Sequence, residues 1–109
     1  MGEGSDLLPG TLDLLILRTL AGGPQHGYGI AQHLQTVSHD VLRVGESSLY
    51  PALQRLLLRG WVRAVWGTSE NNRRARFYTL TPAGRRRLGV EQQEFERMVV
   101  AIRQVLTHT

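Results

Sequence analysis

The apolar residues of this 109-residue chain change period twice. From Leu12 to Leu57 they recur at helical spacing, from Trp61 to Leu80 they alternate, and from Leu88 to Leu106 they are helical again. A helical face repeats every 3.6 residues and a strand face every two, so one pattern cannot serve the other element. The spacing therefore predicts helices, then a two-stranded hairpin, then a further helix. The expected fold class is mainly α with a small β-hairpin, and the length permits one modest core.

The punctuation agrees with these periods. Pro9-Gly10 breaks the chain before a first helix, where Thr11 is placed to cap and Asp13 sits favourably in the first turn. Leu12, Leu15, Ile16 and Leu20 share one face and Leu14 and Leu17 widen it, so this helix is expected to be largely buried; Gly22-Gly23-Pro24 ends it. "HGYGIAQHLQTV" predicts a shorter second helix with Tyr28, Ala31, Leu34 and Val37 inward, and His26 serving the turn before it. "SHDVLRVGE" is a connector whose apolar run could pair briefly as a strand. In "ESSLYPALQRLLLRGW", Leu49, Ala52, Leu53, Leu56 and Leu57 fall on one face. Ser47, Ser48, Pro51, Gln54, Arg55 and Leu58 fall on the other, with Tyr50 at the border. Ser47 or Ser48 is expected to cap this helix, placing Pro51 in the first turn, where a missing N–H costs little. Gly60 is expected to close it in the left-handed conformation.

"WVRAVW" and "RFYTL" read as strands. "GTSENNRRA" between them reads as an extended polar loop, with Asn71-Asn72 suited to left-handed backbone and Arg73, Arg74 and Arg76 at or beside its tip. Trp61 and Trp66 are expected to pack between wing and helix. Thr81 caps a long final helix with Pro82 in its first position. Along it Leu88, Gln92, Phe95, Val99, Ile102 and Leu106 follow a 4-3-4-3-4 spacing, a coiled-coil seam with one polar member. Arg85, Arg86 and Arg87 suit a solvated face, flanking phosphate contacts, or ion pairs to Glu91 or Glu94.

Composition narrows the function. Net charge is +4 and all thirteen basic residues are arginine. A GC-rich genome would be the simplest explanation of that choice; whatever its cause, it leaves a positive surface suited to bidentate phosphate contacts. With no cysteine, disulfides, Cys-based zinc sites and thiol catalysis are excluded. His26, His33, His39 and His108 lack metal-like clustering, so neither a metal nor a cofactor is expected. Carboxylates are few and scattered and there is no glycine-rich phosphate loop, which argues against an enzyme. Leu12–Ala21 is too short to span a bilayer and contains Arg18. Glu3 and Asp6 do not suit a signal peptide, and Asp6 stands where a myristoylation start at Gly2 needs Ser or Thr. The expected location is cytoplasmic, without a membrane partner.

Three short helices, a two-stranded wing and a long helix make the winged helix-turn-helix layout, in which the third helix enters the DNA major groove. Small hydroxyls suit a first turn that faces phosphate, and Gln54 and Arg55 suit base edges or phosphates. The chain resembles the PadR-like transcriptional regulators, in particular short members with a single C-terminal dimerisation helix. The resemblance rests on "GTLDLLILRTLAGGPQHGYGI", "ESSLYPALQRLLLRGWV" and "RARFYTLTPAGRRRL", and runs from about Leu8 to Leu106. Departures are Glu70-Asn71-Asn72, where a Gly-rich basic tip is usual, and Trp61, where a smaller aliphatic is common.

The resemblance implies a homodimeric, sequence-specific DNA-binding repressor on double-stranded, pseudo-palindromic operator DNA. Residues 1–81 would form the winged DNA-binding domain and 82–109 the dimerisation helix. DNA-binding candidates are Ser47, Ser48, Tyr50, Pro51, Gln54, Arg55, Arg73, Arg74 and Arg76. The seam residues are the candidate dimer contacts. Similar short regulators admit flat apolar ligands between the dimer helices and the DNA-binding domains. That makes Phe95 and Gln92 candidate contacts for a small aromatic ligand; the competing reading has Phe95 filling the dimer core. A winged helix used only to bind another protein is the alternative function, and it predicts no affinity for duplex DNA.

Overall fold

A computed structural model describes residues 10–108. The expectations resting on Gly2, Glu3, Asp6 and Pro9 lie outside those residues. The elements are α1 (Thr11–Leu20), β1 (Gln25–His26), α2 (Gly27–Val37), α3 (Glu46–Leu58), β2 (Val62–Thr68), β3 (Arg74–Leu80) and α4 (Pro82–Thr107). The strands form one antiparallel sheet in the order β1-β3-β2. The fold is thus mainly helical with a small sheet, as the changes of period require.

One core joins the elements. Leu14, Ile16, Leu17 and Leu20 of α1 meet Ile30 and Leu34 of α2 and Leu49, Ala52, Leu53 and Leu56 of α3. Val62, Tyr78, Leu80 and Leu88 close it from the wing root and α4. Among the described residues no polar or charged one is buried in it, so apolar burial supplies its cohesion.

Several local expectations hold. Trp61 N–H donates to the Leu56 carbonyl and Gly60 N–H to the Leu57 carbonyl, with Gly60 at φ 74°. This paired closure is the Schellman motif, which needs the left-handed residue that glycine supplies without strain. Thr81 caps α4, its Oγ1 accepting from Gly84 N–H at 3.0 Å, and Pro82 follows at the helix start. His26 caps α2, its Nδ1 accepting from Gly29 N–H at 3.0 Å. Asn72 has φ 60° at the wing turn.

Others are corrected. Gly10, not Thr11, is the N-cap of α1, and Thr11 is the first helical residue. Gly45 is the N-cap of α3, and Ser47 and Ser48 lie within the first turn, which begins at Glu46. Ser48 and Leu49 N–H both donate to the Gly45 carbonyl. Pro51 therefore stands in the second turn, where it withholds a hydrogen bond from the Ser47 carbonyl; both residues are exposed, so water can serve that oxygen. Tyr28 is 67% exposed and Val37 is also exposed, because α2 buries only the narrower face of Gly27, Ile30 and Leu34. No strand forms in the 38–45 connector; the third strand is the pair Gln25–His26, against Tyr78 and Phe77. Two residues are too few to carry an alternating pattern. The strands of the hairpin also reach further than expected, so Arg74 and Arg76 lie on β3 and only Arg73 on the connecting turn.

The junction between α3, the wing and α4 is tied through Thr81. Its Oγ1 donates to the Gly60 carbonyl at 2.7 Å, and its N–H donates to the Trp61 carbonyl at 3.1 Å. Gly84 lies directly beneath: a Cβ there would collide with the Trp61 carbonyl, whereas one on Gly89 meets nothing. Gly84→Ala should therefore destabilise by about 1–3 kcal/mol. Gly89→Ala, in the same helix, should stabilise by about 0.4–1 kcal/mol. Urea unfolding of both variants checks the opposite signs.

Candidate nucleic-acid interface

α3 divides sharply into two faces. Leu49, Ala52, Leu53 and Leu56 are buried, whereas Ser47, Ser48, Pro51, Gln54, Arg55 and Leu58 are exposed and Tyr50 is 42% exposed. The helix is thus held by one side and uncovered along the other.

Its flanks differ. On the α1 side, Arg55 Nη2 bonds Asp13 Oδ1 at 2.7 Å. The Asp13 expected only to favour the first turn of α1 thus also fixes the guanidinium of Arg55. Arg59, just past the helix, lies over the Trp61 ring at 5.2 Å, and Arg87 lies over the same ring at 5.0 Å. Trp61 therefore does pack at the wing root against α4.

On the other flank Tyr50 leans over the start of α2. A Cβ on Gly27 would lie 2.7 Å from the Tyr50 hydroxyl, so glycine is what allows this approach. Burial pushes the Tyr50 phenol above its ordinary pKa, with Glu46 and then Tyr78 adding to the shift. The hydroxyl accordingly stays protonated at neutral pH and remains a hydrogen-bond donor.

Facing Tyr50 is the wing. Its turn is closed by Ser69 N–H to the Arg73 carbonyl at 2.8 Å and Asn72 N–H to the Ser69 carbonyl at 2.9 Å. The β2–β3 register pairs Ala64 with Tyr78, Trp66 with Arg76 and Thr68 with Arg74. Alternate pairs share a sheet face, so these residues continue outward from the core-facing Val62 and Leu80. The Arg74 guanidinium lies 4.9 Å from the Trp66 ring and that of Arg76 lies 5.9 Å from the Tyr78 ring. Trp66, 58% exposed, is thus a platform for Arg74 rather than a wing-to-helix packing residue. Between wing and helices lies a cleft of about 390 Å³, lined by Tyr28, Tyr50 and Tyr78 and by Arg73, Arg74 and Arg76. Glu70 at the turn approaches His26 Nε2 at 3.7 Å, so the departure from a basic tip links the wing to the α2 cap.

The structure thus brings Tyr50, Arg73, Arg74 and Arg76 around one cleft, sets Ser47, Pro51 and Gln54 on the open face of α3, and draws Ser48 and Arg55 towards its α1 flank. Tyr28 and Trp66 were missed. Treating Gly67-Thr68 and Arg74-Ala75 as loop hid the register that sets Trp66 beside two arginines; continuing the alternation through those residues reveals it.

The seam residues also separate. Leu88 is 6% exposed and belongs to the chain's own core. Gln92 and Val99 are half-buried, while Phe95 is 41%, Ile102 45% and Leu106 77% exposed. Gln92 Nε2 reaches Glu96 Oε2 at 3.4 Å, and α4 carries the ion pairs Arg87–Glu91 and Glu94–Arg97. Among the described residues no group of His, Cys, Asp or Glu could hold a metal ion, and no helix is long and apolar enough to cross a membrane.

These features define a winged-helix protein with an uncovered third helix beside an arginine-bearing wing. The sequence model of the transcriptional regulator PadR-like family matches residues 16–90, and the chain belongs to that family. It is therefore a transcriptional regulator, not an enzyme. It is similar to a transcriptional regulator from Clostridium thermocellum, with 28% identity, a TM-score of 0.82 and coverage of 92% of this chain and 97% of that one. A PadR family transcription regulator from Clostridium difficile is 26% identical, with a TM-score of 0.73 and coverage of 87% and 97%. An uncharacterized 37.1 kDa protein in transposon TN4556 of Streptomyces fradiae is 41% identical over 85 residues, which span 78% of this chain but 23% of that protein.

The Asp13–Arg55 pair is partly solvated, with side chains 19% and 48% exposed. A double-mutant cycle with Asp13→Asn and Arg55→Gln should give a coupling of about 0.2–1 kcal/mol that shrinks with salt. Chemical denaturation at two ionic strengths measures it; a larger, salt-independent value would mean a buried pair.

Proposed function

We propose that this regulator is a sequence-specific, double-stranded-DNA-binding repressor, acting in the cytoplasm as a homodimer joined through α4. The observation that carries the reading is α3: fixed by its apolar face, uncovered on the other, and flanked by a cleft lined with three arginines. A helix so held fits the major groove, and the wing arginines supply phosphate contacts. In this assignment Ser47, Ser48, Tyr50, Pro51 and Gln54 face the duplex from α3 and Arg73, Arg74 and Arg76 from the wing. Arg55 joins them only by leaving Asp13. Residues 1–81 form the DNA-reading part and 82–109 the dimerising part, although the first turns of α4, through Leu88, pack into the winged core.

Support for the dimer comes from the exposed apolar stripe of Phe95, Ile102 and Leu106, widened by Met98 and Val105. Such a stripe gains most by pairing with a second copy. Two recognition helices then meet half-sites about one DNA turn, roughly 10 base pairs, apart on a pseudo-palindromic operator. Phe95 and Gln92 are the proposed contacts for a small planar aromatic ligand that changes helix spacing. Its leverage is limited to its differential affinity for the two spacings. Titration of planar aromatic cations and phenolic acids, with Phe95→Leu as control, tests that part.

Mobility shift of the gene's own upstream DNA, with and without excess nonspecific duplex, tests the main reading. Retention of neither duplex would favour a protein-interaction module. Arg74→Ala should weaken specific and nonspecific duplexes alike and reduce the slope of log K against log salt by about one unit. An unchanged slope would take Arg74 off the phosphates.

Ile102→Asp puts a charge in the centre of the stripe. It should yield monomers by sedimentation at micromolar concentration and abolish tight operator binding, since two linked half-sites bind far better than one. A wild-type monomer under the same conditions would end the dimer proposal.

A further inference from the structure

We infer that α3 reads its half-site through an uncharged ridge in which Pro51 and Leu58 contact thymine methyl groups and Gln54 an adenine edge. The inference rests on the DNA-binding reading above and names the bases that site takes.

Its basis is the angular order of α3. At about 100° per residue, Ser47, Pro51, Gln54 and Leu58 all lie within about 30° of the line opposite the buried Leu49, Ala52, Leu53 and Leu56. They form the outermost ridge, the first part of the helix to meet a groove. All four are exposed, and Leu58 is 85% exposed. A lone exposed leucine is ordinary; this one continues a line with a proline and a glutamine.

The ridge carries no charge. Arg55 is turned to Asp13 and Arg59 to Trp61, so the two arginines nearest the ridge are engaged by their own chain. Positive charge faces the cleft from the wing instead, which divides the labour: the wing meets the phosphate polyanion and the ridge meets bases. The chemistry of the ridge then selects among bases. A glutamine amide forms paired hydrogen bonds with adenine N6 and N7. An isobutyl group and a pyrrolidine ring make no hydrogen bonds, and the apolar group in the major groove is the thymine 5-methyl. Pro51 and Leu58 are two turns apart, about 10.5 Å along the helix. That distance corresponds to roughly three base-pair steps at about 3.4 Å each. The half-site should therefore hold thymines roughly three steps apart, with an adenine between them or on their partner strand.

The test uses the full chain and a duplex selected from a random pool. Each thymine is replaced singly by deoxyuridine, which removes only the methyl group, and affinity is measured at fixed salt for wild type, Leu58→Ala and Pro51→Ala, with circular dichroism controlling for folding. Wild type should lose about threefold to tenfold at two positions per half-site, the effect of removing one buried methyl. Leu58→Ala should be insensitive at one of these and Pro51→Ala at the other. Deoxyuridine without effect anywhere, or equal losses in wild type and both variants, would overturn the inference while leaving DNA binding intact. Failure to enrich any duplex would instead remove the DNA-binding reading, and this inference with it.

Discussion

The knot at Thr81 holds the working parts of this chain in register. Its hydroxyl accepts from Gly84 N–H while donating to the Gly60 carbonyl, and its own N–H donates to the Trp61 carbonyl. Three elements end or begin there: α3 has just closed in its Schellman turn, the wing returns, and α4 starts. Tying the ends of these elements together at one residue limits the conformational cost of ordering the junction, a cost that would fall on a small core. Gly84 lets α4 sit against the Trp61 carbonyl, and the guanidinium groups of both Arg59 and Arg87 lie over the Trp61 ring. The angle between the third helix and the wing is thus set by backbone contacts at their shared root.

That root explains why the two candidate DNA-facing surfaces differ in chemistry. The wing extends from a rigid base and stiffens its arginines by stacking, Arg74 on Trp66 and Arg76 on Tyr78. A stacked guanidinium keeps its edges free for phosphate oxygens while losing fewer rotamers on binding. The open face of α3 instead carries hydroxyls, an amide and apolar groups, and Arg55 beside it is held by Asp13. Affinity and selectivity can then reside on separate elements, so that salt acts mainly on one and base substitution on the other.

Much of this was legible in the sequence. The two changes of period gave the order of helices and strands, and Gly60, Thr81 and Pro82 marked the junction, because capping chemistry is local and specific. The buried face of α3 followed from spacing alone. What escaped depended on tertiary partners. Gly45 took the cap expected of Ser47 or Ser48, since the approach of the connector, and not side-chain preference, decides where the first turn begins. Tyr28, expected inward, lies off the buried face of Gly27, Ile30 and Leu34 and lines the cleft instead. β1 was invisible, as a two-residue strand is defined by Tyr78 and Phe77 across from it. Leu88 fits the seam by spacing yet is buried in the chain's own core; periodicity gives a face and cannot say which neighbour covers it.

Leu88 also fixes where α4 changes allegiance. Up to that residue the helix is part of the winged core, and beyond Gln92 its apolar side is covered only in part by its own chain. A continuous α-helix transmits rotation and tilt along its length because its backbone hydrogen bonds leave little freedom to twist. The ion pairs Arg87–Glu91 and Glu94–Arg97 lie along the helix as it leaves the core. On the dimer reading, any change in how two copies of α4 pack at Phe95 or Ile102 therefore reaches Gly84, then Trp61 and Thr81, and so the root that sets α3. The path consists of contacts between neighbouring residues and needs no flexible hinge. On the same reading, a ligand acting at Phe95 would act through the close fit of Gly84 beneath the Trp61 carbonyl, and the stiffness of that contact would carry even a small shift at the seam to α3.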